Sequence, residues 1–200
     1  MDKIEELAQA FARLPGIGPR QGKRFVFHLL AAPAAERSKF AELIAALGAE
    51  VRQCPECLRF YNGSSATTCN YCSDKTRDDS QLMLVEKDQD LAAVERAGTY
   101  RGRYFVLGGV LTLSGKGAIR EKELIKALEK RIKNGLKEVV LALSATSEGE
   151  HTADRVRELL APYRDQVKTS ALGRGLATGS ELEYSDAETL RAALSNRKEA

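Results

Sequence analysis

Cys54-Pro55-Glu56-Cys57 and Cys69-Asn70-Tyr71-Cys72 are two Cys-x2-Cys motifs, separated by eleven residues, that contain all four cysteines of the 200-residue chain. Each motif can place two thiolates on one metal ion through a tight turn, and two such turns complete a tetrahedron around zinc. Four thiolates leave no open position for water, so the expected zinc is structural and does no hydrolysis. The spacing therefore predicts a four-cysteine zinc finger, which we assign to residues 54–80.

Disulfide bonds and a redox role are the alternatives for these cysteines. The first residues, Met1-Asp2-Lys3-Ile4-Glu5-Glu6, carry acids where a secretory signal needs a basic and then an apolar stretch. The chain contains no run of about 18 apolar residues, which a membrane-spanning helix would need. We therefore expect a cytoplasmic protein without membrane association, in which a reducing environment disfavours disulfides.

Composition and charge fit an ordinary globular protein. Hydrophobic residues make up 43% of the chain and charged residues 30%, and the 31 basic and 28 acidic side chains leave a net charge of only +3. The basic residues are nevertheless unevenly placed, because residues 13–24 contain Arg13, Arg20, Lys23 and Arg24 and no acid. This segment is a candidate anion-binding surface.

Helical periodicity dominates the N-terminal 53 residues, which we expect to form a helical domain. Apolar residues recur at helical spacing over residues 4–14, and Leu14-Pro15-Gly16-Ile17-Gly18-Pro19 then interrupts the pattern. Pro19 suits the first turn of a second helix, in which Phe25, Val26, Leu29 and Leu30 are expected to form the buried side and His28 to be partly buried. A third helix is predicted over residues 40–51.

The turn between the first two helices has a physical use on DNA. Glycines such as Gly16 and Gly18 let the backbone approach a phosphate closely, and the helix that follows presents free amides and a favourable dipole. Arg20, Lys23 and Arg24 follow within about one turn. We therefore predict that these five residues bind DNA through its phosphates, without reading its sequence. The alternative is a plain helix-helix turn with solvated charges.

From residue 81 the pattern changes to short apolar runs that alternate with amphipathic stretches. Strands are predicted at residues 82–85, 104–107, 139–143 and 167–171, and helices at 88–97, 120–133 and 151–161. This order predicts an α/β domain with a mostly parallel sheet over residues 81–176, within a chain that is α+β overall. In the C-terminal segment, residues 177–200, Ser185-Asp186-Ala187-Glu188 matches a capping box that opens a last helix.

Three acidic residues follow two of these strands. Glu86 stands at the end of the first strand, where ligand sites gather in open α/β sheets, and Glu148 and Glu150 follow the third. Converging carboxylates could hold Mg²⁺. The alternative is that Ser147-Glu148-Gly149-Glu150 is a capping box, so that these acids serve only the start of a helix.

The chain resembles the bacterial RecR family of recombination mediators over essentially its whole length. The similarity rests on an ordered set of motifs. It comprises Leu14-Pro15-Gly16-Ile17-Gly18-Pro19-Arg20 with Phe27-His28-Leu29-Leu30, the four cysteines, Val85-Glu86, Gly102-Arg103-Tyr104-Phe105-Val106-Leu107, Glu148-Gly149-Glu150-His151-Thr152-Ala153 and Glu181-Leu182-Glu183-Tyr184.

The resemblance implies a helix-hairpin-helix, a zinc finger, a Toprim-like domain and a C-terminal segment, assembled into ring-like homo-oligomers, with a tetramer expected, that encircle DNA. It implies a non-catalytic DNA-repair protein that acts with RecO and RecF to help load RecA at single-stranded gaps. The family's DNA-binding residues carry over to Arg20 and Arg24. Its Toprim acids carry over to Glu86, Glu148 and Glu150, as partner contacts or Mg²⁺ ligands.

Two other functions remain open on the sequence alone. A Mg²⁺-dependent Toprim nuclease or primase-like enzyme is motivated by the three acids. It is less favoured because Toprim enzymes typically carry an Asp-x-Asp pair directly after the third strand, whereas here residues 144–147 intervene and the pair is Glu-Gly-Glu. The second alternative is an assembly scaffold whose hairpin serves subunit contact only.

Overall fold

The chain divides after Arg52 into two units, Met1–Arg52 and Gln53–Ala200. This division is seen in a computed structural model that describes residues 2–63, 67–114, 117–197 and 199. The first unit contains three helices. They are α1 (Lys3–Ala12), α2 (Pro19–Ala31) and α3 (Ala34–Glu50).

The predicted hairpin between α1 and α2 is present. Gly18 is the N-cap of α2 and Pro19 is its first residue, as the sequence predicted. Gly16 has a φ of +78°, a left-handed conformation that favours glycine. The third helix begins six residues before the predicted start at Phe40, because Pro33 serves as its N-cap.

Packing of α1 against α2 depends on small residues, which the sequence analysis did not anticipate. Gly22 and Ala8 are both buried, and a Cβ atom at Gly22 would lie 2.5 Å from the carbonyl oxygen of Ala8. Of the four apolar residues expected on the buried side of α2, only Val26 is buried, whereas Phe25 and Leu30 are 42% and 54% exposed. The helices α1 and α2 therefore approach closely at Gly22, where no side chain separates them. Much of the apolar surface of α2 stays exposed.

The second unit is built on a four-stranded sheet. The short strand β1 (Val51–Gln53) leads into this unit. Its further elements, in chain order, are β2 (Phe60–Asn62), α4 (Asn70–Ser73), β3 (Asp78–Val85), α5 (Asp88–Ala97), β4 (Gly102–Val106), α6 (Glu121–Lys133), β5 (Glu138–Ala142), α7 (Ser147–Leu160), β6 (Lys168–Ala171) and α8 (Ala187–Ser195). One 3₁₀ turn, Ala161–Tyr163, follows α7, and another, Leu182–Tyr184, precedes α8.

The sheet has the order β4-β3-β5-β6, and all three pairs of neighbouring strands are parallel. This confirms the predicted α/β class and mostly parallel sheet. Leu82 and Leu84 face one side of β3 and belong to the core that includes α6 and α7, whereas Met83 and Val85 face the other side, with Leu91 of α5. Burial on both sides explains the continuous apolar runs in the sequence.

Both predicted capping boxes are wrong in detail. The helix α7 begins at Ser147, and its N-cap is Thr146, whose hydroxyl accepts a hydrogen bond from the Gly149 amide at 3.1 Å. The helix α8 has Asp186 as its N-cap, and this carboxylate accepts the amides of Glu188 and Thr189, each at 2.9 Å. In each case the capping residue is the neighbour of the serine that the motif suggested, because backbone geometry fixes which side chain reaches the free amides.

None of the helices among the described residues combines the length and apolar character that a membrane crossing requires.

Gly22→Ala tests the close approach of α1 and α2. The added methyl group would meet the Ala8 carbonyl, so we expect the substitution to lower the free energy of unfolding by about 1–3 kcal/mol, measured by urea denaturation. Gly48→Ala in α3 is the matched control, since nothing lies within 4 Å of a Cβ atom there. In the control, better helix propensity should raise stability slightly or leave it unchanged. Equal effects of the two substitutions would contradict the packing argument.

Candidate functional site

The four cysteines converge on one point. Their sulfur atoms all lie within 4.8 Å of one another, and Cys57 Sγ and Cys69 Sγ are 3.6 Å apart. Zn–S bonds of about 2.3 Å in a tetrahedron place sulfur atoms about 3.8 Å apart, so the arrangement has the size of a metal site. None of the four forms a disulfide in the structure, so all four sulfur atoms are available to a metal ion. Among the described residues this is the one group of three or more clustered side chains that could hold a metal ion.

Each Cys-x2-Cys motif forms a tight turn. In the first, the Leu58 amide donates to the Cys54 carbonyl at 2.9 Å, and Leu58 adopts a left-handed φ of 60° that turns the chain back. In the second, Cys69 is the N-cap of α4 and its carbonyl accepts the Cys72 amide at 3.0 Å. These backbone turns place the two sulfur atoms of each motif on the same side of the chain.

Electrostatics at the cluster favour a bound cation. Hydrogen bonds with Cys57, Cys69 and Cys72 hold the pKa of the Cys54 thiol far below its usual range. Hydrogen bonds with the other three cysteines raise the pKa of the Cys57 thiol. The protonation of each thiol therefore depends on that of its neighbours. Three of the four are buried, and a metal ion would displace the thiol protons so that all four bind as thiolates. The donor set therefore fits a soft or borderline metal such as zinc.

Arg103 of β4 ties the second cysteine turn to the sheet. Its guanidinium donates to the carbonyls of Tyr71 and Cys72, at 2.8 and 3.2 Å, and its Nε donates to Asp79 at 2.7 Å. The arginine is 8% exposed, so these bonds satisfy a buried charge. The cysteine segment is consequently attached to the edge strand of the sheet by a rigid, multidentate contact.

Tyr71 provides a second attachment. The guanidinium carbons of Arg59 and Arg77 lie 4.5 and 4.8 Å from its ring centroid. Arg77 in turn donates to Glu95 of α5 at 2.6 Å and to the carbonyl of Gly102 at 3.0 Å. The aromatic residue inside the second motif therefore joins the cysteine cluster to α5 and β4.

The first cysteine turn meets the other end of the same edge strand. The Val106 amide donates to the Cys57 carbonyl at 2.8 Å, and Arg120 donates to the carbonyls of Leu58 and Val106, at 2.9 and 3.0 Å. Edge strands leave backbone groups unpaired, and here the cysteine segment pairs with them.

The hairpin of the first unit places its cationic residues in two different environments. Lys23 forms an ion pair with Glu5 of α1 at 3.1 Å. Arg20 and Arg24 are exposed, lie four residues apart on α2, and have no ion-pair partner within the described part of the chain. The Gly18 amide makes a long contact of 3.4 Å with the Gln21 side chain. Arg20 and Arg24 are thus the cations of this helix most available to an anion.

The three predicted acids do not meet in one group. The buried Glu86 carboxylate accepts two hydrogen bonds from Ser144, from its amide at 2.7 Å and from its hydroxyl at 2.6 Å. Glu150 forms an ion pair with Arg174, and the carbonyl of Glu148 accepts the Thr152 hydroxyl at 2.6 Å. Two of the carboxylates therefore have protein partners, and the described acids do not form a preorganised metal site.

Sequence analysis missed the residues that support these sites. Three of them are arginines that contact residues 14 to 62 positions away in the sequence: Arg103, Arg120 and Arg174. The fourth is Tyr71, whose ring packs against the guanidinium of Arg59. The only local signal was the run Gly102-Arg103-Tyr104-Phe105-Val106-Leu107, in which a basic residue interrupts an apolar strand. A charge in a buried strand indicates a specific partner, although not which one.

Comparison with known proteins finds the same parts in the same order. A family model described as the RecR helix-hairpin-helix matches residues 4–47, a Toprim domain model matches 80–172, and a RecR C-terminal model matches 175–198. Recombination protein RecR of Bifidobacterium longum subsp. infantis is 40% identical over 200 residues, covering 98% of this chain and 96% of that protein. The proteins of the same name from Cutibacterium acnes and Cereibacter sphaeroides are also 40% identical, over 197 and 195 residues. These alignments cover 97% and 98% of this chain, and 94% and 96% of the respective relatives.

Cys57→Ala should abolish stable metal binding, because three thiolates cannot complete the tetrahedral site. We expect metal content, measured by mass spectrometry after purification in zinc, to fall from about one ion per chain to near zero. The melting temperature should fall with it, because metal binding contributes to folding. Ser73→Ala, next to Cys72, is the control and should keep its metal. Unmodified protein without metal would contradict the site.

Arg103→Lys tests the attachment of the second cysteine turn. A lysine keeps the charge but cannot bond Asp79 and both carbonyls at once, so we expect about tenfold faster metal loss to a chelator. Arg101→Lys, at an exposed position nearby, is the control. Equal loss rates for the two variants would show that Arg103 does not support the metal site.

Proposed function

Because the chain belongs to the RecR family of recombination proteins, we propose that it is a DNA-binding recombination mediator without enzymatic activity. In DNA repair it acts with RecO and RecF to help load the recombinase RecA at single-stranded gaps. It works in the cytoplasm and associates with the nucleoid during repair. The observation that carries the proposal is the pair of exposed arginines beside the glycine turn of the first unit, which have no ion-pair partner among the described residues.

DNA contact is proposed at Gly16, Gly18, Arg20, Lys23 and Arg24. The left-handed Gly16 and the N-cap Gly18 bring the backbone close to a phosphate without a side chain in the way. Arg20 and Arg24 lie one helical turn apart and supply two charge-assisted contacts. The ion pair with Glu5 supports a smaller contribution from Lys23. Such contacts recognise the DNA backbone and depend strongly on salt.

The cysteine cluster is proposed to hold a structural Zn²⁺ ion through Cys54, Cys57, Cys69 and Cys72. Four thiolates complete the coordination of zinc, so the ion takes no part in chemistry. Within the four-part division of the chain, the zinc finger over residues 54–80 links the helical domain, residues 1–53, to the Toprim-like domain, residues 81–176. The C-terminal segment comprises residues 177–200.

A role without catalysis is supported by the environment of the Toprim acids. A Mg²⁺-dependent nuclease or primase needs carboxylates free to bind the ion, and here Glu86 is bonded to Ser144 and Glu150 to Arg174. We propose that Glu86, Glu148 and Glu150 contribute to a partner contact instead.

Homo-oligomerisation, as a tetrameric ring around DNA, is supported by the apolar surface of the first unit. The helix α3 has no buried residue, and its large apolar side chains are all at least 42% exposed: Phe40, Leu43, Ile44 and Leu47. Two of them, Phe40 and Ile44, line a groove of about 550 Å³ together with apolar residues of α1 and α2. A continuous apolar surface of this kind is typical of an interface between subunits.

Arg20→Ala combined with Arg24→Ala tests the DNA contact. We expect at least about tenfold weaker binding to gapped DNA at low salt, and a slope of log affinity against log salt that is smaller by about two. Arg101→Ala with Arg164→Ala removes the same charge elsewhere and is the control. Unchanged DNA retention would instead support a scaffold whose hairpin serves subunit contact.

The same gapped DNA, end-labelled and incubated with Mg²⁺, distinguishes the mediator from the enzyme on a denaturing gel. The proposal expects intact strands. Shortened strands that disappear with Glu86→Ala would show that the acids are catalytic.

A further inference from the structure

Phe25 lies on the hairpin helix among groups that suit a nucleotide. Gln21, Arg24, Phe25 and His28 fall at i, i+3, i+4 and i+7, so they share one face of α2, and they line one shallow depression. All four are exposed, including His28, for which the sequence analysis expected partial burial. The face therefore presents an aromatic ring, a cation and two further hydrogen-bonding side chains directly beyond the glycine turn.

The ring of Phe25 has one aromatic neighbour among the described residues. It meets Phe11 of α1 edge to face, with centroids 5.7 Å apart and an interplanar angle of 71°, yet the residue remains 42% exposed. An edge-to-face contact restrains a ring and leaves a face available for a second aromatic group. Phe27, two positions along the same helix, is 54% exposed and has no ring contact in the part of the chain that the structure describes.

The charges around the ring indicate which aromatic group it meets. Arg24 is adjacent to Phe25 in the sequence, and Arg20 lies one helical turn before Arg24. Neither arginine has an acidic partner among the described residues. The one acid paired with this helix, Glu5, is taken by Lys23. A planar, uncharged ring joined to a phosphate matches this arrangement, because the base can stack on Phe25 while the phosphate meets an arginine.

We propose that Phe25 stacks on an unpaired nucleobase while Arg24 contacts the neighbouring phosphate, which makes this face of α2 a site for single-stranded DNA. The inference rests on the proposed function and deepens it, because phosphate contacts alone do not distinguish single strands from duplex. A base in a duplex is already stacked and paired and is not available to Phe25. The two arginines bind either form, and the phenyl ring selects the unpaired one.

Phe25→Trp gives a direct readout, because the chain contains no tryptophan. The introduced indole should stack as the phenyl ring does, so oligo(dT) should quench its fluorescence in step with binding measured by anisotropy. A duplex of equal length should bind with little quenching. Phe27→Trp is the control and should respond weakly to both DNAs.

Phe25→Leu measures what the ring contributes. Loss of one base stack should weaken binding to oligo(dT) by about tenfold, and leave binding to duplex within about twofold. Phe27→Leu should change neither. Circular dichroism and native mass establish that each variant keeps its fold and assembly.

Three results would overturn the inference. The first is oligo(dT) binding to the Phe25→Trp variant without quenching. The second is equal weakening of single-strand and duplex binding by Phe25→Leu. The third is an indole that is already shielded without DNA together with a change of native mass in Phe25→Leu, which would assign the ring to a contact between two copies of the chain. If the unmodified protein binds neither DNA, the proposed function itself fails, and this outcome is distinct from the other three.

Discussion

Four sulfur atoms within 4.8 Å of one another are the constraint on which the second unit depends. Buried thiols at this distance share protons or bind a metal, and with a metal the site closes the loop between the two Cys-x2-Cys motifs. In its described residues, 58–63 and 67–68, that loop contains one element of regular structure, the strand β2. Its conformation is therefore set by the cluster and by what the cluster touches.

The edge of the sheet is what the cluster touches. The strand β4 would present unpaired backbone groups, and the cysteine segment pairs with two of them: the Cys57 carbonyl accepts a hydrogen bond from the Val106 amide, and Arg77 donates to the Gly102 carbonyl. An edge that is covered in this way is protected from pairing with other chains. The cysteine cluster thus has a structural role beyond its own loop, because it positions the segment that covers this edge of the sheet.

The two units divide the proposed work between them. In the first, a turn made accessible by glycine lies beside two arginines without an ion-pair partner in the described part of the chain, and the helices bury little of their apolar surface. In the second, two of the three acids that follow the strands, Glu86 and Glu150, are engaged by Ser144 and Arg174, which supports the proposed partner contact. This distribution of free and engaged charges supports the proposed role in binding.

The sequence by itself determined the cysteine cluster, the glycine hairpin, the strand order in the chain and the α/β class, because each depends on local spacing or on the periodicity of apolar residues. Helix starts were the least determined, since Thr146 and Asp186 rather than the neighbouring serines reach the free amides. Three features become visible in the folded chain alone: the engagement of Glu86 and Glu150, the attachment of the cysteine segment by Arg103, and the close approach of α1 at Gly22. These are contacts between residues distant in sequence. No local pattern encodes which residue a buried charge will bind, or which helix will pack against the backbone at a glycine.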